Sequence, residues 1–153
     1  MRHLRGLMKR LCVLLLLLCV CAAGAQAARL PGVRTPSGNI RCFYVPIRPT
    51  THGNLLCDIK HASYTAALQK RCISPPSGLD WHGFELGDSK KASVLCAGGI
   101  MYDGRDTPVY VTLAYGTKWH YRSFTCISRF TGLTCTNGAG HGLFLSRASY
   151  RLW

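Results

Sequence analysis

Val109-Tyr110-Val111-Thr112-Leu113-Ala114-Tyr115, then Gly116-Thr117, then Lys118-Trp119-His120-Tyr121-Arg122-Ser123-Phe124-Thr125 is the stretch that decides the fold class. Its first seven residues are rich in β-branched and aromatic side chains. Val109, Val111, Leu113 and Tyr115 alternate with Tyr110, Thr112 and Ala114, the period of two that a half-buried strand requires. Gly116-Thr117 makes a turn and 118–125 returns as another strand, so the whole is expected to be a hairpin. On the returning strand Lys118, His120 and Arg122 project to one face, and Trp119 and Tyr121 to the other. Such a basic stripe is a candidate contact for an anionic partner. The same pattern also arises on any strand with one solvated and one packed face.

Immediately downstream, Cys126 and Cys135 bracket Ser128-Arg129-Phe130-Thr131-Gly132-Leu133. With Phe130-Thr131 as the turn, Ser128 opposes Leu133 and Cys126 opposes Cys135. Directly opposed residues of an antiparallel pair lie close enough for a disulfide. Elsewhere the apolar runs stay short and the punctuation dense. Strands are expected at 40–45, 55–59, 84–86, 93–96, 143–147 and 150–153. One short helix is expected at 63–71 with Ser63 as N-cap, and a loop at Pro75-Pro76-Ser77-Gly78. Many short strands at turn-rich spacing predict a mainly β fold, a small antiparallel barrel or sandwich with at most one short helix.

The first residues set the expected compartment. Arg2, Arg5, Lys9 and Arg10 form a basic start without an acidic residue. Residues 11–21 are unbroken apolar sequence, and Ala22-Ala23-Gly24-Ala25-Gln26-Ala27-Ala28 supplies small side chains. These are the three parts of a secretory signal peptide, with cleavage expected after Ala27. An uncleaved anchor is the rival reading, but the apolar stretch is short for a span of about 20 residues. The expected division is residues 1–27 as signal peptide and 28–153 as one secreted or periplasmic domain, with no transmembrane span after cleavage.

Cleavage there removes Cys12, Cys19 and Cys21. It leaves Cys42, Cys57, Cys72, Cys96, Cys126 and Cys135, an even number that reads as three disulfides in an exported small domain. Six cysteines allow fifteen connectivities. Strand register favours Cys126–Cys135, and short loops favour Cys42–Cys57 and Cys72–Cys96. Bridges closing loops of this length contribute ~3 kcal/mol each in the chain-entropy model, together comparable to the whole stability of a small domain. No redox role is required to account for them.

The chain carries 19 Lys and Arg against 6 Asp and Glu, a net charge of +13. Four of the basic residues lie in the first 27, so 28–153 keeps 15 against 6, a net +9. A surface of that sign attracts nucleic acid, acidic polysaccharide, anionic lipid or an acidic protein. It also serves solubility alone.

Further words recur in a set order. They are Thr35-Pro36-Ser37-Gly38-Asn39-Ile40-Arg41-Cys42, Cys57-Asp58-Ile59, Asp80-Trp81-His82-Gly83, Leu113-Ala114-Tyr115-Gly116, Gly132-Leu133-Thr134-Cys135 and Gly140-His141-Gly142-Leu143-Phe144-Leu145-Ser146-Arg147. In this order the chain resembles a family of small exported bacterial proteins classed as a domain of unknown function. Two departures stand out: His82 interrupts an Asp-Trp-Gly word, and Cys96 and Asp103 are more widely spaced. The resemblance implies export, disulfides and fold, and no activity.

Candidate chemistry is sparse. His141 lies between two glycines, which let a backbone approach a ligand, and its imidazole is suited to proton transfer near neutral pH. The plainer reading is a tight turn leading into the strand before Ser146 and Arg147. A Ser146–His141 pair with Asp103 or Asp106 would make a small hydrolase, but Ser146 lacks a nucleophile elbow. Paired carboxylates for glycoside hydrolysis are not evident. His52, His61, His82, His120 and His141 are scattered and the thiols are taken up by disulfides, so neither metal nor cofactor is expected. Trp81 and Trp153 are expected as core anchors. An inhibitor of a secreted enzyme would suit the stapled scaffold, though no reactive-loop pattern is present. The expected function is a non-enzymatic exported domain that binds an anionic polymer or an acidic protein, with Lys118, His120 and Arg122 as the contact.

Overall fold

The computed structural model describes residues 29–73, 79–98 and 106–153. The expected leader at 1–27, the loop at 75–78 and Asp103 lie outside them. The described residues form two facing sheets and one helix, α1 (Thr65–Cys72). The six-stranded sheet runs in the order β5 (Ser93–Ala97), β4 (Asp80–Gly87), β3 (Gly53–Ile59), β2 (Ile40–Pro46), β1 (Arg29–Arg34), β6 (Thr107–Thr112). The five-stranded sheet runs β11 (Tyr150–Leu152), β10 (Gly142–Leu145), β9 (Gly132–Thr136), β8 (Phe124–Arg129), β7 (Lys118–Tyr121). Neither sheet closes on itself, so the fold is a mainly β sandwich and not a barrel. All pairs are antiparallel except β1 with β6, which is parallel.

Period-two alternation builds the core. Leu55, Cys57, Phe84 and Leu86 of the larger sheet meet Phe124, Cys126, Leu133, Cys135, Leu143 and Leu145 of the smaller, each 0 % exposed. Each large apolar side chain removed from water there stabilises by about 1.5–3 kcal/mol. The intervening residues of the larger sheet face outward, where Leu30, Phe43 and Leu56 form a second buried cluster. Cys42 opposes Cys57 across β2 and β3, and Cys126 opposes Cys135 across β8 and β9, with Cα atoms 4.0 and 4.1 Å apart. Cys72–Cys96 ties the end of α1 to β5. These are the three pairs read from loop length and register.

The hairpin expected over 109–125 does not form. Strands β6 and β7 belong to different sheets, and the chain crosses between them at 113–117. Leu113 N–H bonds to Arg34 O at 2.9 Å and Gly116 N–H to Ser128 O at 2.8 Å, holding the crossing at both ends. The pairing of β6 with β1 over Arg29–Arg34 outcompetes a local return. Residues 118–125 are likewise not one strand. Arg122, at φ 53°, makes a two-residue turn with Ser123, and Tyr121 pairs with Phe124. Strand β1 was not among the expected strands, and Pro31 and Gly32 are both residue types that disfavour a strand interior. Its pairing with β2 begins only at Gly32, where a Cβ would come 2.7 Å from Cys42 O. The helix starts two residues late. Tyr64 holds the cap position without a side-chain bond, and Ser63 Oγ instead donates to Ala148 O.

Candidate functional site

The five-stranded sheet turns one face to the core and the other outward. Trp119 and Tyr121 pack against the core with their rings nearly parallel, 5.9 Å apart, so Lys118 and His120 face out. Register then lays one row straight across the outer face: Lys118, Ile127, Thr134, Phe144, Arg151. Its ends are cationic and its middle is a threonine between two apolar side chains. The guanidinium of Arg151 lies over the Phe144 ring at 5.3 Å. A neighbouring row carries His120, Thr125, Thr136 and Gly142, and His120 Nδ1 is 3.1 Å from Thr125 Oγ1.

Arg122 does not extend this stripe. Its positive φ turns it off the strand, and its guanidinium packs over the rings of Tyr44 and Tyr121 at 5.4 and 5.9 Å. Burial raises the Tyr44 phenol pKa above its ordinary value, against the lowering effect of Arg122. Trp153 also departs from expectation. It is 39 % exposed, and its ring covers Gly142, where a Cβ would come 2.6 Å from the indole and 2.5 Å from Cys135 O. Trp81 does pack on the core, its ring 5.9 Å from Phe84 and its indole N–H donating to Gly83 O at 2.8 Å.

At one end of the sandwich, four separated segments enclose a cleft of ≈ 490 Å³. They are the 35–40 turn, Tyr115, the β8–β9 tip at 129–132, and 146–148. Phe130 stands 87 % exposed at that tip, its ring laid against Tyr115 at 4.0 Å. Arg129 and Arg147, both exposed, also line the cleft. Its lining includes no acidic residue. No single one of these segments signals a site in the sequence, although all four carry words of the family-like pattern.

The residues of the hydrolase reading are not brought together. His141 precedes β10 and Ser146 follows it, which puts their Cα atoms ~16 Å apart at ~3.3 Å per residue. Ser146 Oγ is taken up in a turn, donating to Ser149 O at 2.9 Å and accepting from Ser149 N–H at 3.0 Å. His141 is held by its backbone to Asn137, N–H to Oδ1 at 3.0 Å and O from N–H at 2.9 Å. Asp106 pairs with Arg48 at 3.4 Å. The sulfurs of Cys42, Cys57 and Cys135 lie within 4.8 Å of one another, but as disulfide partners they offer no thiolate to a metal.

Charge is segregated between the sheets. The five described acids all lie at positions 58–106, and each has a partner. Asp58 pairs with Arg41 at 2.9 Å, Asp80 accepts from Gln69 at 2.8 Å, Glu85 accepts from Asn54, Asp88 meets His52, and Asp106 meets Arg48. The hydrogen bond from His52 holds the Asp88 carboxyl below its ordinary pKa. Residues 107–153 contain every strand of the smaller sheet, five fixed cations and no acid.

Comparison with curated proteins found no match, and neither did comparison with solved structures. A family model does match, over residues 10–153, and on that match the chain belongs to the family of unknown function DUF6636.

Proposed function

We propose that this is an exported, non-enzymatic binding domain that holds an anionic polymer against the outer face of its five-stranded sheet. The observation that carries the reading is the charge segregation: five fixed cations and no acid over 107–153, with Lys118 and Arg151 at the two ends of one cross-strand row. A strand-built face suits a polymer, because strands fix the spacing of the charges and the disulfides fix the strands. Export is supported by the signal-like first 27 residues and by three disulfides, which persist in oxidising compartments. No helix among the described residues is long and apolar enough to cross a membrane.

The test is binding of fluorescently labelled heparin at low and moderate salt. Affinity should fall steeply as salt rises, because neutralised charges release counterions. The triple variant Lys118→Gln, His120→Gln, Arg151→Gln should weaken binding and lower the thermal melt by no more than the loss of the Arg151–Phe144 contact, since all three side chains are exposed. Arg122→Gln should instead lower the melt, because its guanidinium covers Tyr44. No binding at low salt, or undiminished binding by the triple variant, overturns the proposal.

A further inference from the structure

We infer that the cleft at the end of the sandwich receives one uronic acid unit of an acidic polysaccharide, an inference that rests on the anionic-polymer reading and names its ligand. Three features of the lining converge. Phe130 is 87 % exposed yet does not project freely: Tyr115 backs its ring at 4.0 Å, so it presents a fixed apolar plane. A sugar ring offers the matching C–H face. Arg129 from the end of β8 and Arg147 from the loop after β10 line the same space, and a guanidinium pairs with a carboxylate through two parallel hydrogen bonds. Between them the walls carry the hydroxyls of Ser37 and Thr131, short polar groups suited to ring hydroxyls. The volume, ≈ 490 Å³, is that of a small-molecule site.

Two other anionic classes fit less well. Single-stranded nucleic acid is held by successive aromatic platforms under successive bases, and this cleft has one stacked pair. A membrane-inserting tip is convex and apolar, whereas Phe130 borders a concave space whose lining also holds hydroxyls and two arginines. The cleft is also continuous with the proposed polymer face, since Arg129 ends β8 next to the row that begins at Lys118 and Ile127.

The experiment is calorimetric titration with trigalacturonate, with maltotriose as the neutral control. A thymidine oligonucleotide and phosphatidylglycerol vesicles serve as the other anionic arms. Trigalacturonate should bind and maltotriose should not at the same concentration. Arg129→Gln and Arg147→Gln should each weaken trigalacturonate by about tenfold, the loss of one charge-assisted contact. Phe130→Ala should weaken it by about two- to tenfold, the range of an aromatic contact. Neither arginine variant should move the melt, and Phe130→Ala should lower it only by the loss of the Tyr115 pair. Lys118→Gln should leave trigalacturonate untouched while weakening heparin. If heparin binds but trigalacturonate does not, or if trigalacturonate ignores all three cleft variants, the uronate site is wrong and the sheet-face reading stands. Phe130-dependent binding of vesicles or oligonucleotide without trigalacturonate binding overturns it in favour of that class. If neither heparin nor trigalacturonate binds at low salt, both readings fall.

Discussion

Asn137 is the most informative residue to remove. It is 6 % exposed and its side-chain amide is fully used. Nδ2 donates to Gly87 O at 2.8 Å and Lys90 O at 3.0 Å, while Oδ1 accepts from the N–H groups of Ala139 and His141 at 3.0 Å each. One side chain thus both closes the loop before β10 and ties it to the loop after β4. Asn137→Ala loses four hydrogen bonds, each contributing about 0.5–1.5 kcal/mol net. Only the bond to Gly87 O is buried, and the partly exposed groups recover some of their loss from water, so the expected cost is about 2–4 kcal/mol. At roughly 3–5 °C per kcal/mol for a chain of this size, Tm should fall by roughly 10 °C in scanning calorimetry. Asn137→Asp sharpens the test. It keeps both acceptor contacts but sets a carboxylate against two carbonyl oxygens, which raises its folded pKa. Stability should then be greatest below the ordinary carboxylate pKa, where a protonated side chain can donate, and should be lost as pH rises through the folded value. A melt of Asn137→Ala within 2 °C of the parent, or a pH-independent Asn137→Asp, would refute the assignment of Asn137 as a structural tie.

Three further outcomes are expected. Burial pushes the Tyr64 phenol up to about 12, above its ordinary value near 10, so its stabilising contribution is complete below pH 10 and is lost as pH rises towards 12. Tyr64→Phe should flatten the stability profile in that window while losing the bond from Tyr64 Oη to Ser146 O, as followed by alkaline melts. Under graded reductant, Cys72–Cys96 should open before the other two disulfides, because Cys96 is partly exposed while Cys42, Cys57, Cys126 and Cys135 are all 0 % exposed. Alkylation and peptide mapping would read the order. Ser128 Oγ is fully buried without a hydrogen-bond partner among the described residues; Ser128→Ala should therefore be neutral or stabilising in a melt, since it removes an unsatisfied polar group.

What was legible in the sequence is what local chemistry decides. Alternation marked most strands, and cysteine parity and the Ser128–Leu133 register led to the disulfides. The topology was not legible, because Gly116-Thr117 is the same signal whether the chain returns beside itself or crosses to a facing sheet. The deciding partner, β1, is hidden behind Pro31-Gly32 and lies nearly eighty residues from β6. The basic stripe was half legible. Lys118 and His120 follow period two, but Arg122 leaves it through a positive φ that an arginine does not advertise and that its two tyrosine rings support. The cleft was invisible, since four segments spread over the chain must fold before Tyr115, Phe130 and the two arginines share a wall.

The acid-free stretch from 107 to 153 is plain in the sequence, yet only topology gives it meaning. Because β7 to β11 pair in simple succession, a linear run without acidic side chains becomes a continuous surface without acidic side chains. Such a surface invites self-repulsion, and the spacing limits it. Lys118 and Arg151 stand at opposite ends of a five-strand row, about 19 Å apart at ~4.8 Å per strand. The Debye length is about 8 Å at physiological ionic strength, so the two charges barely sense one another. A polymer lying along the row senses both, because its own charges bring a near partner to each. The arrangement therefore costs the fold little while favouring an extended polyanion over a small one. A free phosphate or a single uronate meets only one end at a time, and affinity for this row should climb with chain length until the ligand spans it and then level off, as expected when a second contact becomes intramolecular. On the uronate reading, the cleft beyond Arg129 would add a different kind of selectivity, reading one unit of the chain by shape where the row reads only its charge.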